Sequence, residues 1–331
     1  MTEGLTWGLP VIGYLFLAGV GAGAMTVSAS MFLRGGDYGN SMHVDTARYG
    51  ALLAPFPIII GSGLLVLELG SFEVGNWFRF LNLYMVLNLS PMSIGTWLIT
   101  ATIGVSVVYA YTYLPNAPGI TTEQRYKLRN VFSWLAIPLG ISTAVYTGIL
   151  LGAMPSRPFW NSPILALLFL VSALSTGIAA ILLLRAIFHS GEMEHESERH
   201  IVHSGYLLTA SDAMLIGFEL MVIFLFIMYA HLTVGDVREA VSVLFTSTTL
   251  APLFWFVIIV LGLIIPALIE IYYVVPKLLR HREFIVPRWV EIGVAILVLV
   301  GGFTLRYVVV VAGQITEPAG LHFFPTGLNF F

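Results

Sequence analysis

An all-α integral membrane protein of about eight transmembrane helices is the fold class this sequence predicts, and three observations carry it. Of 331 residues, 58% are hydrophobic and only 10% charged, whereas a soluble domain carries about 25% charged residues. The apolar residues fall in blocks long enough to cross a hydrocarbon core of ~30 Å, which takes about 20 helical residues. Between the blocks stand charged and Pro/Gly-rich breaks, whose polar groups need water. A single membrane domain over 1–331 follows.

The helices are expected at 9–31, 48–70, 92–114, 130–153, 163–188, 206–231, 250–275 and 288–312. The first holds Gly19 and Gly23, a small-xxx-small pair that lets a second backbone approach closely. Arg34-Gly35-Gly36-Asp37 ends it. The third closes at Pro115-Asn116-Ala117-Pro118-Gly119. Small residues from Ser172 to Ala180 give the fifth a close-packing face. The acidic-histidine run 189–203 is expected as a solvated loop before the sixth helix. The basic run Lys277–Arg282 separates the last two.

Cations set the expected orientation. Arg34, Arg48, Arg125, Lys127, Arg129, Arg185, Arg199, Lys277, Arg280, Arg282 and Arg288 fall on one side, and Arg79, Arg157 and Arg238 on the other. The first group marks the cytoplasmic side, which puts both termini outside.

The chain has no cysteine, which excludes disulfides, thiolate-held iron–sulfur clusters and Cys zinc sites. Its eight histidines lie in expected loops or at helix ends, so no pair stands ready to ligate a transmembrane haem. No metal site and no nucleic-acid partner are expected, and the net charge of -3 is unremarkable.

Ionisable groups inside spanning helices are costly and are kept when they pair, protonate or line a polar path. Glu68, Asp212, Glu219, Glu270 and Arg306 are such groups. Asp212 and Glu219 stand seven residues apart on one helix face and suggest a proton path. Glu68 and Arg306, near the outer ends of their helices, are candidates to pair. Structural roles are expected for Glu270 and Glu291. Two outer loops are aromatic and basic, with Trp77, Phe78 and Arg79 in one and Arg157, Phe159 and Trp160 in the other. They read as an interfacial belt or as docking anchors.

Two stretches carry a family resemblance. One runs from Arg79-Phe80-Leu81 to Ser90-Pro91-Met92-Ser93-Ile94-Gly95-Thr96-Trp97. The other runs from Tyr146-Thr147-Gly148 through Met154-Pro155-Ser156-Arg157-Pro158-Phe159-Trp160-Asn161 to Ser175-Thr176-Gly177. Trp7-Gly8 and Arg306-Tyr307 through Gln314 add to it. The chain resembles the polysulfide reductase membrane subunit family, the NrfD/PsrC type, over essentially its whole length.

The resemblance implies two packed four-helix bundles without a resident metal or covalent cofactor, in a prokaryotic inner membrane. It implies electron exchange between menaquinone or ubiquinone and a ferredoxin-like, multi-cluster iron–sulfur subunit docked on the periplasmic face. A molybdopterin enzyme or multihaem cytochrome would complete the complex. Tyr146 resembles the family's quinone-contacting tyrosine. Some members carry a histidine in the first helix, where this chain has Tyr14. Tyr14, Tyr146, Glu68 and Arg306 are thus the expected quinone-site residues. A passive membrane anchor and a secondary transporter are the alternatives, and Pro138, Pro252 and Pro266 lend the latter little support.

Overall fold

The computed structural model describes residues 7–34, 44–70, 81–85, 90–114, 121–154, 156–188, 195–233, 235–280 and 286–316. These residues form helices and no strand. In chain order they are α1 (Leu9–Arg34), α2 (Val44–Leu53), α3 (Pro55–Gly70), α4 (Asn82–Met85), α5 (Pro91–Tyr111), α6 (Thr122–Gly152), α7 (Ile164–Phe188) and α8 (His195–Leu232). Then come α9 (Asp236–Thr246), α10 (Leu250–Pro252), a π-helical segment (Leu253–Ile264), α11 (Ile265–Arg280) and α12 (Arg288–Ile315). Eight stretches are long and apolar enough to span a membrane. The second joins α2 to α3 across Ala54, and the seventh joins α10, the π segment and α11.

Two groups of four spans pack side by side. In the first, α1 packs against α2, α3 and α6, and α6 against α5. In the second, α7 packs against α8 and α12, α12 against the π segment, and α8 against α11. The seam is α1 and α6 against α7. It is tight where Gly23 meets Ala173 and Gly177: a Cβ on Gly177 would stand 2.5 Å from Ala24 N. The small-residue faces of the first and fifth spans therefore pack against each other.

Contacts between helix ends sort the ends of the spans. Arg288 donates to Ile187 O at 3.0 Å, and Arg185 pairs with Glu291, so the ends of α7 and α12 that carry these arginines are neighbours. This is termed the basic end. At the other, Trp7 stacks on Trp160 with ring centroids 5.3 Å apart, and Trp160 Nε1 donates to Val309 O at 2.8 Å. Gln314 clasps Trp7 in both directions: Trp7 N donates to Oε1 at 2.9 Å and Nε2 donates to Trp7 O at 3.1 Å. This is termed the tryptophan end.

Three boundaries differ from expectation. α6 begins at Thr122 rather than 130, because Thr121 and Gln124 form a reciprocal capping box and Arg129 ties the extra turns to α5 through Thr112 O at 2.6 Å. α8 begins at His195, so part of the run expected as a loop is helical. The stretch 232–249 contains the helix α9, which buries Ala240, Val241 and Leu244 and receives the Trp255 Nε1 hydrogen bond at Leu244 O, 3.1 Å.

The twelve-residue π segment has local causes. Pro266 has no N–H to return to the ladder, and Ile265 N–H reaches five residues back to Val260 O. Gly262 meets Gly301 of α12 so closely that a Cβ on either would lie 2.7 or 2.6 Å from the other's Cα. π geometry usually appears as single turns, often at functional sites.

Candidate functional site

Two gatherings of polar residues inside the bundle contain the candidate residues. The first is in the tryptophan-end half of the first bundle. Tyr14 lies five residues into α1 from Leu9, and Tyr146 six residues from the end of α6 at Gly152, so both sit roughly 8–9 Å inside that end. Tyr14 is 0% exposed and Tyr146 8%. Their side chains lie within electrostatic reach of each other. Gly95 of α5 leaves the space that the Tyr146 ring fills, which explains a glycine in that resembling stretch. The Tyr14 hydroxyl is buried with no hydrogen-bond partner among the described residues. That is unusual, since buried polar groups are nearly always satisfied.

The second gathering is a polar file through the second bundle. Arg306 of α12 is 0% exposed. Its Nη1 donates to Ser172 Oγ at 2.5 Å and to Gly302 O at 3.0 Å, and its guanidinium stands 5.2 Å from the centroid of the Phe169 ring. Ser172 is also within hydrogen-bond reach of Glu219 on α8. A hydroxyl that accepts from Arg306 still has its own proton to give, so Ser172 bridges guanidinium and carboxylate.

One turn nearer the basic end, Ser175 donates to Asp212 Oδ1 at 2.7 Å. Asp212 and Glu270 of α11 lie within hydrogen-bond reach of each other. Among the described residues, no N–H or hydroxyl donor reaches Asp212 Oδ2 or either Glu270 oxygen. Two carboxyls can share such a contact only if one carries a proton. Glu270 then borders a small cavity of about 30 Å³ that also touches Arg185, Thr209 and Glu291, more than the ~10–15 Å³ one water requires. The Arg185–Glu291 ion pair closes this end of the file.

The structure therefore brings Tyr14 together with Tyr146, and Arg306 together with Glu219. It does not pair Glu68 with Arg306: Glu68 Oε1 accepts instead from Gly8 N at 3.4 Å, while Arg306 turns inward to α7. The expectation for the aromatic loop also needs correction. Phe159 and Trp160 are 1% and 2% exposed; Phe159 packs on Phe226, and Trp160 on Trp7. Neither offers a surface to a partner. Arg157 remains half-buried and donates to Gln314 O at 2.8 Å. Trp77, Phe78 and Arg79 lie outside the described residues.

Glu270 belongs to the file although its place in the sequence suggests only a structural role, and Ser172 and Ser175 read there only as packing residues. The signal for them is weak. Glu270 lies on a span whose helical phase is altered by the π segment, so its face cannot be assigned by counting.

Comparison with known proteins decides the family. The family description "Polysulphide reductase, NrfD" matches residues 1–318. The chain belongs to the NrfD family. Among curated NrfD relatives, the C polypeptide of the Wolinella succinogenes polysulfide reductase is 31% identical, over 94% of this chain and 95% of that one. Protein NrfD of Escherichia coli is 28% identical, over 95% and 96%. The C polypeptide of the Mesobacillus selenatarsenatis selenate reductase is 22% identical, over 67% and 56%.

Proposed function

We propose that this chain is the quinone-interacting membrane subunit of a respiratory oxidoreductase complex. The observation that carries the reading is the buried Tyr14 hydroxyl, without a hydrogen-bond partner among the described residues, beside Tyr146. Two phenols at one depth suit a quinone, whose two carbonyl oxygens accept hydrogen bonds and whose ring favours an apolar, aromatic surround. Family membership and the names of the polysulfide and selenate reductase relatives support assembly with a catalytic subunit.

Oxidation of a quinol releases two electrons and two protons, and reduction of a quinone takes up the same. A chain without cysteine offers no thiolate for an iron–sulfur cluster, so the electrons pass to or from a docked iron–sulfur subunit. That subunit serves a molybdopterin or multihaem partner. Quinone, whether menaquinone or ubiquinone, acts as a diffusible substrate. The docking face is the tryptophan end, where Arg157 keeps some surface, and it faces the periplasm. The basic end faces the cytoplasm of an inner membrane, following the cation bias.

Protons use the polar file. Gly19 lies five residues beyond Tyr14 on α1, and a Cβ there would come within 3.3 Å of Arg306 Nη2. The file's upper end thus stands roughly one and a half turns below the phenols. From there Glu219, Ser172, Ser175, Asp212 and Glu270 lead toward the cavity at the basic end. Arg306 holds the charge of Glu219, and the Asp212–Glu270 pair keeps one exchangeable proton in place.

The test is quinol-linked turnover by the affinity-purified complex. With Tyr14→Phe or Tyr146→Phe, turnover should fall about tenfold, as loss of one hydrogen bond worth ~1.4 kcal/mol predicts. Unchanged turnover in both, insensitive to a quinone-site inhibitor, would leave a passive anchor.

A further inference from the structure

A groove of about 390 Å³ opens between α1, α7 and α8. Both α1 and α8 pack on α7, and the groove follows that seam from Thr26 to Arg34, eight residues along α1 or roughly 12 Å. It ends at the basic end, where Arg34 closes α1. Its walls are mainly apolar, with Ile178 on α7 and Met214 on α8, the latter 77% exposed.

Two features narrow the occupant. The α1 hydroxyls on the groove are already committed: Thr26 Oγ1 donates to Ala22 O and Ser30 Oγ to Thr26 O, each at 2.8 Å. With those protons taken and the rest of the wall mostly aliphatic, through Val27, Met31, Leu174, Ile178, Leu208 and Leu215, the groove suits hydrocarbon better than a polar ring or head. Among the described residues, the exposed Arg34 at its mouth is the only charged group lining the groove. Arg34 forms no ion pair with a carboxylate among the described residues. A guanidinium at the interface, with a forked donor set, matches a phosphate.

We infer that this groove binds an anionic phospholipid, its phosphate on Arg34 and one acyl chain along α7 between α1 and α8. The acyl chain would cover the outside of the α7–α8 seam whose inner side holds the Ser175–Asp212 hydrogen bond. Leu174 and Ser211, the sequence neighbours of those two residues, line the groove.

The test is native mass spectrometry of the full chain after exchange into mixed micelles holding phosphatidylglycerol and phosphatidylcholine with the same acyl chains. Wild type should retain one phosphatidylglycerol in preference to phosphatidylcholine by about fivefold, the value of one interfacial arginine. Arg34→Gln should abolish the preference but keep one lipid. Ser30→Phe, at an exposed position on the groove, should lose the retained lipid altogether. Equal retention of both lipids by wild type would overturn the inference without any variant. So would a retained quinone, a second copy of the protein in place of lipid, or full retention by Ser30→Phe. None of these readouts depends on quinone turnover, so this inference and the proposed function fail separately.

Discussion

Ser172 Oγ accepts a hydrogen bond from Arg306 Nη1 at 2.5 Å while facing the carboxyl of Glu219. One hydroxyl thus sits between a fully buried cation and a buried acid from two other helices. Without it, Arg306 would keep on α7 only the longer contact with Phe169 O at 3.5 Å, and the link to Glu219 would be lost. The arrangement makes the three residues a unit whose members should not behave additively.

Arg306→Leu should cost about 3–5 kcal/mol, because it strands Glu219 without its counter-charge. Arg306→Leu with Glu219→Gln should recover much of that loss. Thermal melts of the two singles and the double in detergent measure the coupling. Additive melting shifts would show that the two groups do not sense each other.

Glu219→Gln alone should lower the melting temperature, because it leaves the buried Arg306 guanidinium without its counter-charge, yet still assemble and slow quinone-linked turnover. The amide keeps the contact with Ser172 but cannot carry a proton. Wild-type turnover in an assembled Glu219→Gln complex would remove this residue from the path.

The Asp212–Glu270 contact predicts one protonated carboxyl at neutral pH. Infrared spectroscopy should show a protonated-acid carbonyl band that disappears in both Asp212→Asn and Glu270→Gln, since either amide can donate to the remaining carboxylate. A band that survives in both belongs elsewhere.

Tyr14→Phe removes a buried hydroxyl that has no hydrogen-bond partner among the described residues. Stability should hold or rise by up to ~1 kcal/mol, even as turnover drops. A clear fall in melting temperature would mean the hydroxyl serves the fold instead.

Thr121→Ala should remove half of the capping box on α6, about 1 kcal/mol of local stability. Amide exchange at Gln124 should quicken about fivefold with no change in the membrane-embedded turns. Exchange that quickens along the whole helix would show that the cap nucleates it.

The eight spans are legible in the sequence because lipid enforces a length and an apolar character on each one. Asp212 and Glu219 are legible as a pair because a single helix fixes their relative phase. The start of α6 is not, since Glu123, Arg125, Lys127 and Arg129 look like a loop when hydropathy is the guide, and the capping box outweighs that. The Glu68–Arg306 pairing fails for a different reason: equal depth says nothing about which way a side chain turns. Arg306 turns toward α7, where Ser172 and Phe169 O offer acceptors. Phe159 and Trp160 look like surface aromatics because the hydrophobic pattern of a short loop cannot distinguish outward from inward.

The π segment has a consequence for evolution within this span. Each residue added to or taken from an α-helix rotates everything after it by about 100°. Over Leu253–Ile264 the helix holds its surplus as looser winding, and that winding sets the bearing at which Glu270 leaves α11. A one-residue deletion there would leave a span still long enough to cross the bilayer and still predominantly apolar. Its acid would point along a different compass direction, away from Asp212. Length and hydrophobicity would pass selection unchanged, and only the azimuth of one carboxyl would register the loss.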